Sequence, residues 1–416
     1  MKFFIKTYGC QMNKYEEGII KKLLINNNFV PSDNIDNTDV TIVLTCMVRQ
    51  HAEDRALGFL NSKGKGVKVI AGCIAEARKE NLKQYADIII GPDKYRKLPS
   101  LIKQKRKKAL IHVGTNGETY KDILPEIIPG VSTYLTVMRG CNNFCTYCIV
   151  PYVRGYERSK PFLSIIKEVE NFVKKGGKHI TLIGQNVLSY KDGNITFTDL
   201  IREVSKIDGI ERIGFLTSHP KDVTDNFIKE IAENRKILKY FHLPLQSASN
   251  RILKLMNRKY DFNHYKNIIY KIRKMISDPI ITTDIIVGFP TETEKDFLTT
   301  IKALEEIQFD FAYMFKYSER PFTSAANIEP KVEESVKTER LKTIIKLQNS
   351  ITNRKLETEI GKTYMVFTEK SLDSSIGRSE NNRQVFFEGK VEDGNIYKVK
   401  VVKKEGWKLF GEVINE

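Results

Sequence analysis

Apolar positions along the first hundred residues alternate between two rhythms. Residues 3–8 read as a strand, and residues 16–27 as a helix with Ile19, Ile20, Leu23 and Leu24 on one face. Residues 40–44 form a short apolar strand, 51–60 a helix, 67–70 a strand, 75–83 a helix and 86–90 a strand. Strands alternating with helices predict a parallel, doubly wound sheet. Turn residues Gly114, Gly117, Pro125, Pro129 and Gly130 mark 106–130 as a linker. A second series follows, with strands predicted at 133–138, 179–183, 210–216, 240–245, 282–287 and 309–317. Between the first two, a helix over 163–175 carries Ile165, Ile166, Val169, Phe172 and Val173 as one stripe. Six such units predict an open, partial (β/α)6 barrel with its site at the carboxyl mouth of the strands. After a charged helix over 332–356, short alternating runs at 363–367, 384–387 and 397–402, punctuated by glycine, predict a small β-barrel. The expected domains are therefore 1–110, 127–354 and 355–416.

The cysteines change this picture from a scaffold to a site. There are six: Cys10, Cys46, Cys73, Cys141, Cys145 and Cys148. The opening residues are not a secretory signal, because Lys6 interrupts the apolar run, and there is no long apolar run. A cytoplasmic protein with reduced thiols is expected, so metal or redox chemistry is favoured over disulfides. Cys10, Cys46 and Cys73 each come just after a predicted strand. In a parallel sheet those strand ends share one edge, where ligands bind. Singly, each thiol reads as an ordinary small buried residue; three at one topological place suggest a shared site. Cys141, Cys145 and Cys148 are spaced C-x3-C-x2-C directly after the first barrel strand, at the mouth. Three thiolates suit a [4Fe–4S] cluster with one iron left open. A zinc site would need a fourth ligand, with six histidines available to supply it.

Charge adds a partner. Lys and Arg number 68 against 51 Asp and Glu, a net +17, which favours a polyanion, although solvated lysines would give the same count. Residues 1–126 carry +8, 127–354 carry +9 and 355–416 carry zero. Other candidates lie at predicted strand ends. Gly184, Gln185 and Asn186 follow the second barrel strand, and Gly288, Phe289 and Pro290 the fifth. Their backbones could approach a cofactor or merely turn the chain. Gln246 ends the fourth strand and could bond a cofactor, a base or a helix end. Arg154 and Arg158 could meet phosphate or carboxylate, or serve structure alone. Gly176-Gly177 reads as a helix stop, not a phosphate loop.

The C-x3-C-x2-C motif, with aromatic Tyr147 before its last cysteine, resembles that of the radical S-adenosylmethionine enzymes. Thr7-Tyr-Gly-Cys-Gln-Met-Asn13, Thr45-Cys-Met-Val-Arg49 and Ala71-Gly-Cys73 are similar to the three cysteine motifs of the methylthiotransferases within that superfamily. The resemblance spans nearly the whole chain. It implies a Rossmann-like N-terminal domain, a radical-enzyme barrel and a C-terminal RNA-binding TRAM barrel. It implies two [4Fe–4S] clusters, one on Cys141, Cys145 and Cys148, the other, auxiliary, on Cys10, Cys46 and Cys73. S-adenosylmethionine would lie against the first cluster, with Tyr147, Gly184, Gln185, Gln246 and Gly288 as its candidate binding residues. Phe241-His-Leu-Pro-Leu-Gln-Ser-Ala-Ser249, Leu255-Met-Asn-Arg-Lys-Tyr260 and Gly377-Arg-Ser-Glu-Asn-Asn-Arg383 resemble the branch that makes 2-methylthio-N6-dimethylallyladenosine beside the anticodon of tRNA. Ala248, where glycine is usual, and Asn250 depart mildly from it. Arg378 and Arg383 are the implied RNA contacts, in a domain whose net charge is zero. The implied partners are tRNA and a flavodoxin- or ferredoxin-like electron donor, with the chain a monomer and no membrane involved. Sibling branches act on N6-threonylcarbamoyladenosine or on a ribosomal-protein aspartate. Outside the family, the rival readings are an iron–sulfur electron carrier and a zinc-containing RNA-binding protein; carriers usually cap each cluster with four cysteines.

Overall fold

The structure, a computed structural model, describes residues 1–47, 50–104, 108–126, 130–371, 375–389 and 391–414. Val48 and Arg49 of the second cysteine motif, and residues 106, 107 and 127–129 in or beside the predicted linker, lie outside the described residues.

The first sheet has six parallel strands: β1 (Lys2–Tyr8), β2 (Val30–Pro31), β3 (Val40–Thr45), β4 (Val67–Gly72), β5 (Ile88–Ile90) and β6 (Leu110–His112), in the order β2-β1-β3-β4-β5-β6. β3 is buried at every position, as a central parallel strand covered on both faces must be. The helices of this unit are α1 (Gln11–Ile25), α2 (Gln50–Lys63), α3 (Cys73–Arg78) and α4 (Leu98–Lys103), of which α1 and α2 lie against β3. α1 starts at Gln11, five residues before the apolar stripe predicts. Cys10 serves as its N-cap, and the Asn13 side chain accepts from the Cys10 amide at 3.3 Å, a turn without apolar periodicity. β6 falls inside the expected linker. It is three residues long and follows a lysine-rich run, so no alternation marks it, yet it pairs in register with β5.

The central unit begins with β7 (Ser132–Thr136), β8 (His179–Ile183) and β9 (Arg212–Phe215), and continues with β10 (Tyr240–His242), β11 (Ile280–Val287) and β12 (Phe311–Lys316). Each triplet is parallel, and a parallel bridge between Ile213 and Ile237 joins the two. The result is six strands in chain order, open between β7 and β12. α1 lies against β7, and the helix Glu334–Glu357 against β12. Ile165, Val169 and Phe172 of the predicted stripe are buried in this core, with Ile166 and Val173 packed against it.

The last strands, β13 (Thr363–Lys370), β14 (Ser375–Arg378), β15 (Gln384–Glu388), β16 (Ile396–Glu405) and β17 (Lys408–Val413), close a barrel in the order β13-β14-β15-β17-β16. Its core is Val366, Val385, Val399, Val401 and Leu409. This barrel sits under the amino ends of the central strands. Arg212 donates to the Met365 carbonyl at 2.7 Å, Lys178 to Asn395 at 3.0 Å, and the Phe367 ring meets His179 at 5.6 Å. The carboxyl mouth is thus left to face the first sheet. Among the described residues, no helix is long and apolar enough to cross a membrane.

Candidate active site

Sheet register builds the first cysteine trio. Tyr8 pairs with Thr45, and Thr45 with Gly72, so β1, β3 and β4 end side by side. Neighbouring strands lie about 4.8 Å apart. Cys46 and Cys73 are the next residues after β3 and β4, and Cys10 is two after β1, so the three thiols meet on one edge. Close approach here requires glycine. Gly72 has φ +102°, and a Cβ on it would lie 2.5 Å from the Thr45 carbonyl oxygen. A hydrogen bond from Cys46 lowers the Cys10 thiol to about 6 against the opposing effect of burial. Burial raises the Cys73 thiol, and the Arg154 guanidinium partly offsets it. The buried Asn13 amide nitrogen has no hydrogen-bond partner among the described residues, and a Cβ on Gly72 would lie 3.4 Å from it.

The second trio occupies the loop after β7. Cys141 donates its amide to the Gly155 carbonyl at 3.1 Å, and the Cys148 amide bonds the Cys145 carbonyl at 2.9 Å. Gly140, at φ +78°, has no room for a Cβ, which would fall 2.0 Å from the Tyr156 carbonyl oxygen. Gln185 holds the loop from the next strand by accepting the Gly140 amide at 2.6 Å. Asn143 donates to the Cys141 sulfur at 3.4 Å, and Arg258 to the Cys145 sulfur, also at 3.4 Å. Burial, with Cys145 adjacent, pushes the Cys148 thiol to about 12.

The trios are joined through α5 (Val150–Arg154), which begins two residues after Cys148. Ile149 and Val153 share a buried cluster with Met47, Cys73 and Ile74. At the end of α5, Arg154 donates Nε to the Cys73 sulfur at 3.2 Å and clasps Glu16 through both terminal nitrogens, at 2.6 and 3.1 Å. Arg139, three residues beyond β7, donates to the same carboxylate at 2.7 Å, and Arg158 pairs with buried Asp93. Burial opposes ionisation of Glu16, but the two guanidinium groups outweigh it and hold the carboxyl below its usual range. One buried carboxylate thus ties α1 to both flanks of the C-x3-C-x2-C loop, and each trio has an arginine on one of its sulfurs.

The remaining candidates are placed unevenly. Gln246 is buried at the mouth with φ +71°, and its side-chain carbonyl oxygen has no partner among the described residues. Tyr147 packs against the Ile252, Met256 and Phe289 cluster, and burial raises its phenol well above the usual range. Gly184 abuts Met138, whose sulfur would be 2.7 Å from an added Cβ. The Gly288 amide donates to Glu292 at 2.7 Å. Arg378 and Arg383, the implied RNA contacts, each have intramolecular partners. Arg383 is buried against Glu359 at 2.9 Å and Asp310 at 3.4 Å, where it fastens the last barrel to the central one. Arg378 bonds Glu369 at 3.1 Å. Sequence reasoning missed Asn13, Glu16, Arg139, Arg258, Ser218 and His219; of these, Asn13, Arg139, Ser218 and His219 each have a buried polar atom without a partner among the described residues. Glu16 carried a signal: it lies three and four residues before Ile19 and Ile20, on the apolar face of α1. Arg139 follows an apolar strand.

Comparison with known proteins agrees with this arrangement. The Radical SAM superfamily profile matches residues 135–304, and that of "Uncharacterized protein family UPF0004" matches residues 2–91. A Parabacteroides distasonis protein named tRNA-2-methylthio-N(6)-dimethylallyladenosine synthase is 42% identical, with the alignment covering 100% of this chain and 96% of that protein. A protein of the same name from Thermodesulfovibrio yellowstonii is 40% identical, over 99% of this chain and 98% of its own. Among solved structures, the fold resembles the radical S-adenosylmethionine methyltransferase TsrM from Kitasatospora setae, with TM-score 0.59 and 10% identity over 78% of this chain and 73% of that one. It also resembles the cobalamin-dependent S-adenosylmethionine radical enzyme OxsB, with TM-score 0.54 and 12% identity over 84% of this chain and 57% of that one. With end-to-end identity of this order and both cysteine trios in place, the chain belongs to the tRNA-2-methylthio-N6-dimethylallyladenosine synthase family of the Radical SAM superfamily.

Proposed function

We propose that this protein methylthiolates C2 of N6-dimethylallyladenosine beside the anticodon of tRNA. The observation that carries the reading is the contact between Arg154, six residues beyond Cys148, and the sulfur of Cys73. It ties two three-cysteine sites, 68 residues apart between Cys73 and Cys141, to each other.

The donor sets fit the cofactors of the family. Two groups of three soft thiolates, with a cation facing one sulfur of each, suit [4Fe–4S] clusters that each leave one iron open. The partnerless Asn13 amide and Gln246 carbonyl supply polar atoms at the two sites. In this reading Cys141, Cys145 and Cys148 hold the cluster that meets S-adenosylmethionine, and Cys10, Cys46 and Cys73 the auxiliary one. When bound, these groups supply the radical and sulfur chemistry that an unactivated aromatic C–H requires and side-chain acids and bases cannot provide.

The chain's own residues orient and enclose. Gln185 and Gly140 set the C-x3-C-x2-C loop; Glu16 fixes Arg139 and Arg154; Gln246 offers a side-chain acceptor at the mouth. In this reading Tyr147, Gly184, Gln185, Gln246 and Gly288 are the candidate residues for binding S-adenosylmethionine. His219 is held neutral by burial, down to about 2, so it faces the mouth as a neutral ring at any working pH. Residues 1–110, 127–354 and 355–416 serve as auxiliary-cluster, radical and TRAM domains. The protein works as a cytoplasmic monomer supplied with electrons by a flavodoxin- or ferredoxin-type donor. The test is mass analysis of tRNA nucleosides after incubating the reconstituted, reduced protein with S-adenosylmethionine and tRNA bearing dimethylallyladenosine. A methylthio nucleoside is expected, absent with Cys145→Ala. No such product, with a ribosomal protein gaining that mass instead, would refute the assignment.

A further inference from the structure

Four aromatic rings stand in solvent around the C-x3-C-x2-C loop, and no step above uses them. Tyr156, Phe144, Tyr152 and Phe322 are 72%, 38%, 44% and 58% exposed. They form a continuous chain. Phe144 meets Tyr156 at 5.8 Å and Tyr152 at 6.3 Å, and Tyr152 meets Phe322 at 6.2 Å. Three come from the cysteine loop and α5; the fourth comes from the segment after β12, across the mouth. The interplanar angles are 56°, 89° and 37°, so no two of the rings are stacked face to face. Two of them are also held against backbone preference. Phe144 has φ +44° and Phe322 has φ +68°, a region bulky side chains avoid. The Phe144 turn is pinned from outside: Asn257 donates its side-chain amide to the carbonyls of Phe144 at 3.0 Å and Asn143 at 3.2 Å. Exposed Lys259 in turn donates to Asn257 at 2.6 Å. Strain of this kind is retained where surroundings or function require it.

An exposed aromatic row with open faces, beside a lysine, on a chain of net charge +17, matches the way proteins hold unpaired bases. Rings stack on nucleobases regardless of sequence while cations meet the backbone. We propose that Tyr156, Phe144, Tyr152 and Phe322 form a stacking platform for the unpaired anticodon-loop bases flanking the target adenosine, holding the loop open over the mouth. This rests on the tRNA reading above and adds to it where the loop lies and what grips it. The platform is continuous with the candidate site, because Phe144 lies between Cys141 and Cys145.

The test uses the cluster-loaded protein and a 5′-fluorescein anticodon stem–loop bearing dimethylallyladenosine, with binding read by anisotropy. Tyr152→Leu and Phe322→Leu keep apolar bulk and remove the stacking face. Each should weaken binding by about five-fold or more, without change in iron content, while a closed duplex stem binds wild type and variants alike. In wild type, 5-iodouridine placed beside the target adenosine should crosslink to Tyr152, Tyr156 or Phe322. Unchanged affinity in both variants, or equal losses for loop and duplex, would overturn the platform. So would unchanged RNA affinity together with slowed reduction by flavodoxin but not by dithionite, which would make the patch a protein-docking face. If wild type makes methylthio product while the variants bind normally, the platform alone fails. If wild type makes none, the functional reading fails.

Discussion

Replacing Glu16 with glutamine removes one charge and almost no volume, and it should unfasten the join between the two cysteine sites. The wild-type carboxylate is fully buried and accepts from Arg139 at 2.7 Å, from Arg154 at 2.6 and 3.1 Å, and from Tyr95 at 3.3 Å. Both arginines are buried as well. Glutamine keeps one acceptor oxygen but no charge, so both guanidinium groups lose their buried counter-ion: Arg154 retains the Cys73 sulfur, and Arg139 the Pro92 carbonyl at 3.2 Å and a distant Asp93 at 3.9 Å. Breaking a buried ion pair from one side costs about 3–5 kcal/mol. At about 2–4 °C per kcal/mol for units of this size, the first calorimetric transition of the metal-free protein should fall by roughly 6–20 °C. A second substitution, Arg139→Met, should recover part of that loss, because one stranded charge goes with it, giving a coupling of about 0.5–3 kcal/mol. Iron retained after reconstitution should drop at the Cys10, Cys46 and Cys73 site, since Arg154 is no longer held against Cys73. A Glu16→Gln protein melting within about 1 °C of wild type, with full iron content, would refute the reasoning.

Three other outcomes follow from the same geometry. Burial holds His179 at about 3 against an ordinary 6.5, with Arg378 and Arg212 adding to it. The unfolded chain therefore takes up a proton that the native state refuses. Stability is intact above about pH 6.5 and falls below it, by about 1.4 kcal/mol at pH 5.5 for this group; urea midpoints for His179→Gln should depend less on pH than those of wild type, and equal dependence would contradict the account. In metal-free protein, Cys10 becomes thiolate as pH rises through about 6, so its alkylation by iodoacetamide, followed by peptide mass spectrometry, should level off by about pH 7; a rate still climbing at pH 9 would contradict this. Arg383→Ala leaves the buried Glu359 and Asp310 carboxylates short of a cation and should cost about 3–5 kcal/mol. Limited proteolysis should then cut the C-terminal barrel first, and an unchanged digestion pattern would refute its fastening role.

The legible parts of this chain were those that depend on local pattern. Apolar β-branched runs such as Val40–Thr45 declare a buried parallel strand, and a cysteine just past three such strands inherits its position from their register. The C-x3-C-x2-C loop is likewise a local object. What could not be read depends on contacts between distant segments. Arg154 and Cys73 are 81 residues apart, and Arg154 and Glu16 are 138 apart; nothing near an arginine in sequence says whether water or a buried carboxylate will meet it. The same blindness explains Arg383, which resembles an RNA contact in its motif and is buried at a domain seam in the fold. β6 escaped because three residues carry no periodicity. The aromatic row escaped because its members come from separate segments and from backbone angles that bulky residues rarely adopt.

The central claim is that the two trios open on one chamber, and electron paramagnetic resonance of the dithionite-reduced, fully reconstituted protein tests it most directly. Spectra of Cys145→Ala and Cys46→Ala would supply the isolated signal of each remaining cluster. Neighbouring paramagnets should broaden and split one another, so the wild-type spectrum should differ from the sum of the two single-site spectra. A wild-type spectrum that superposes on that sum would place the clusters apart and contradict the account.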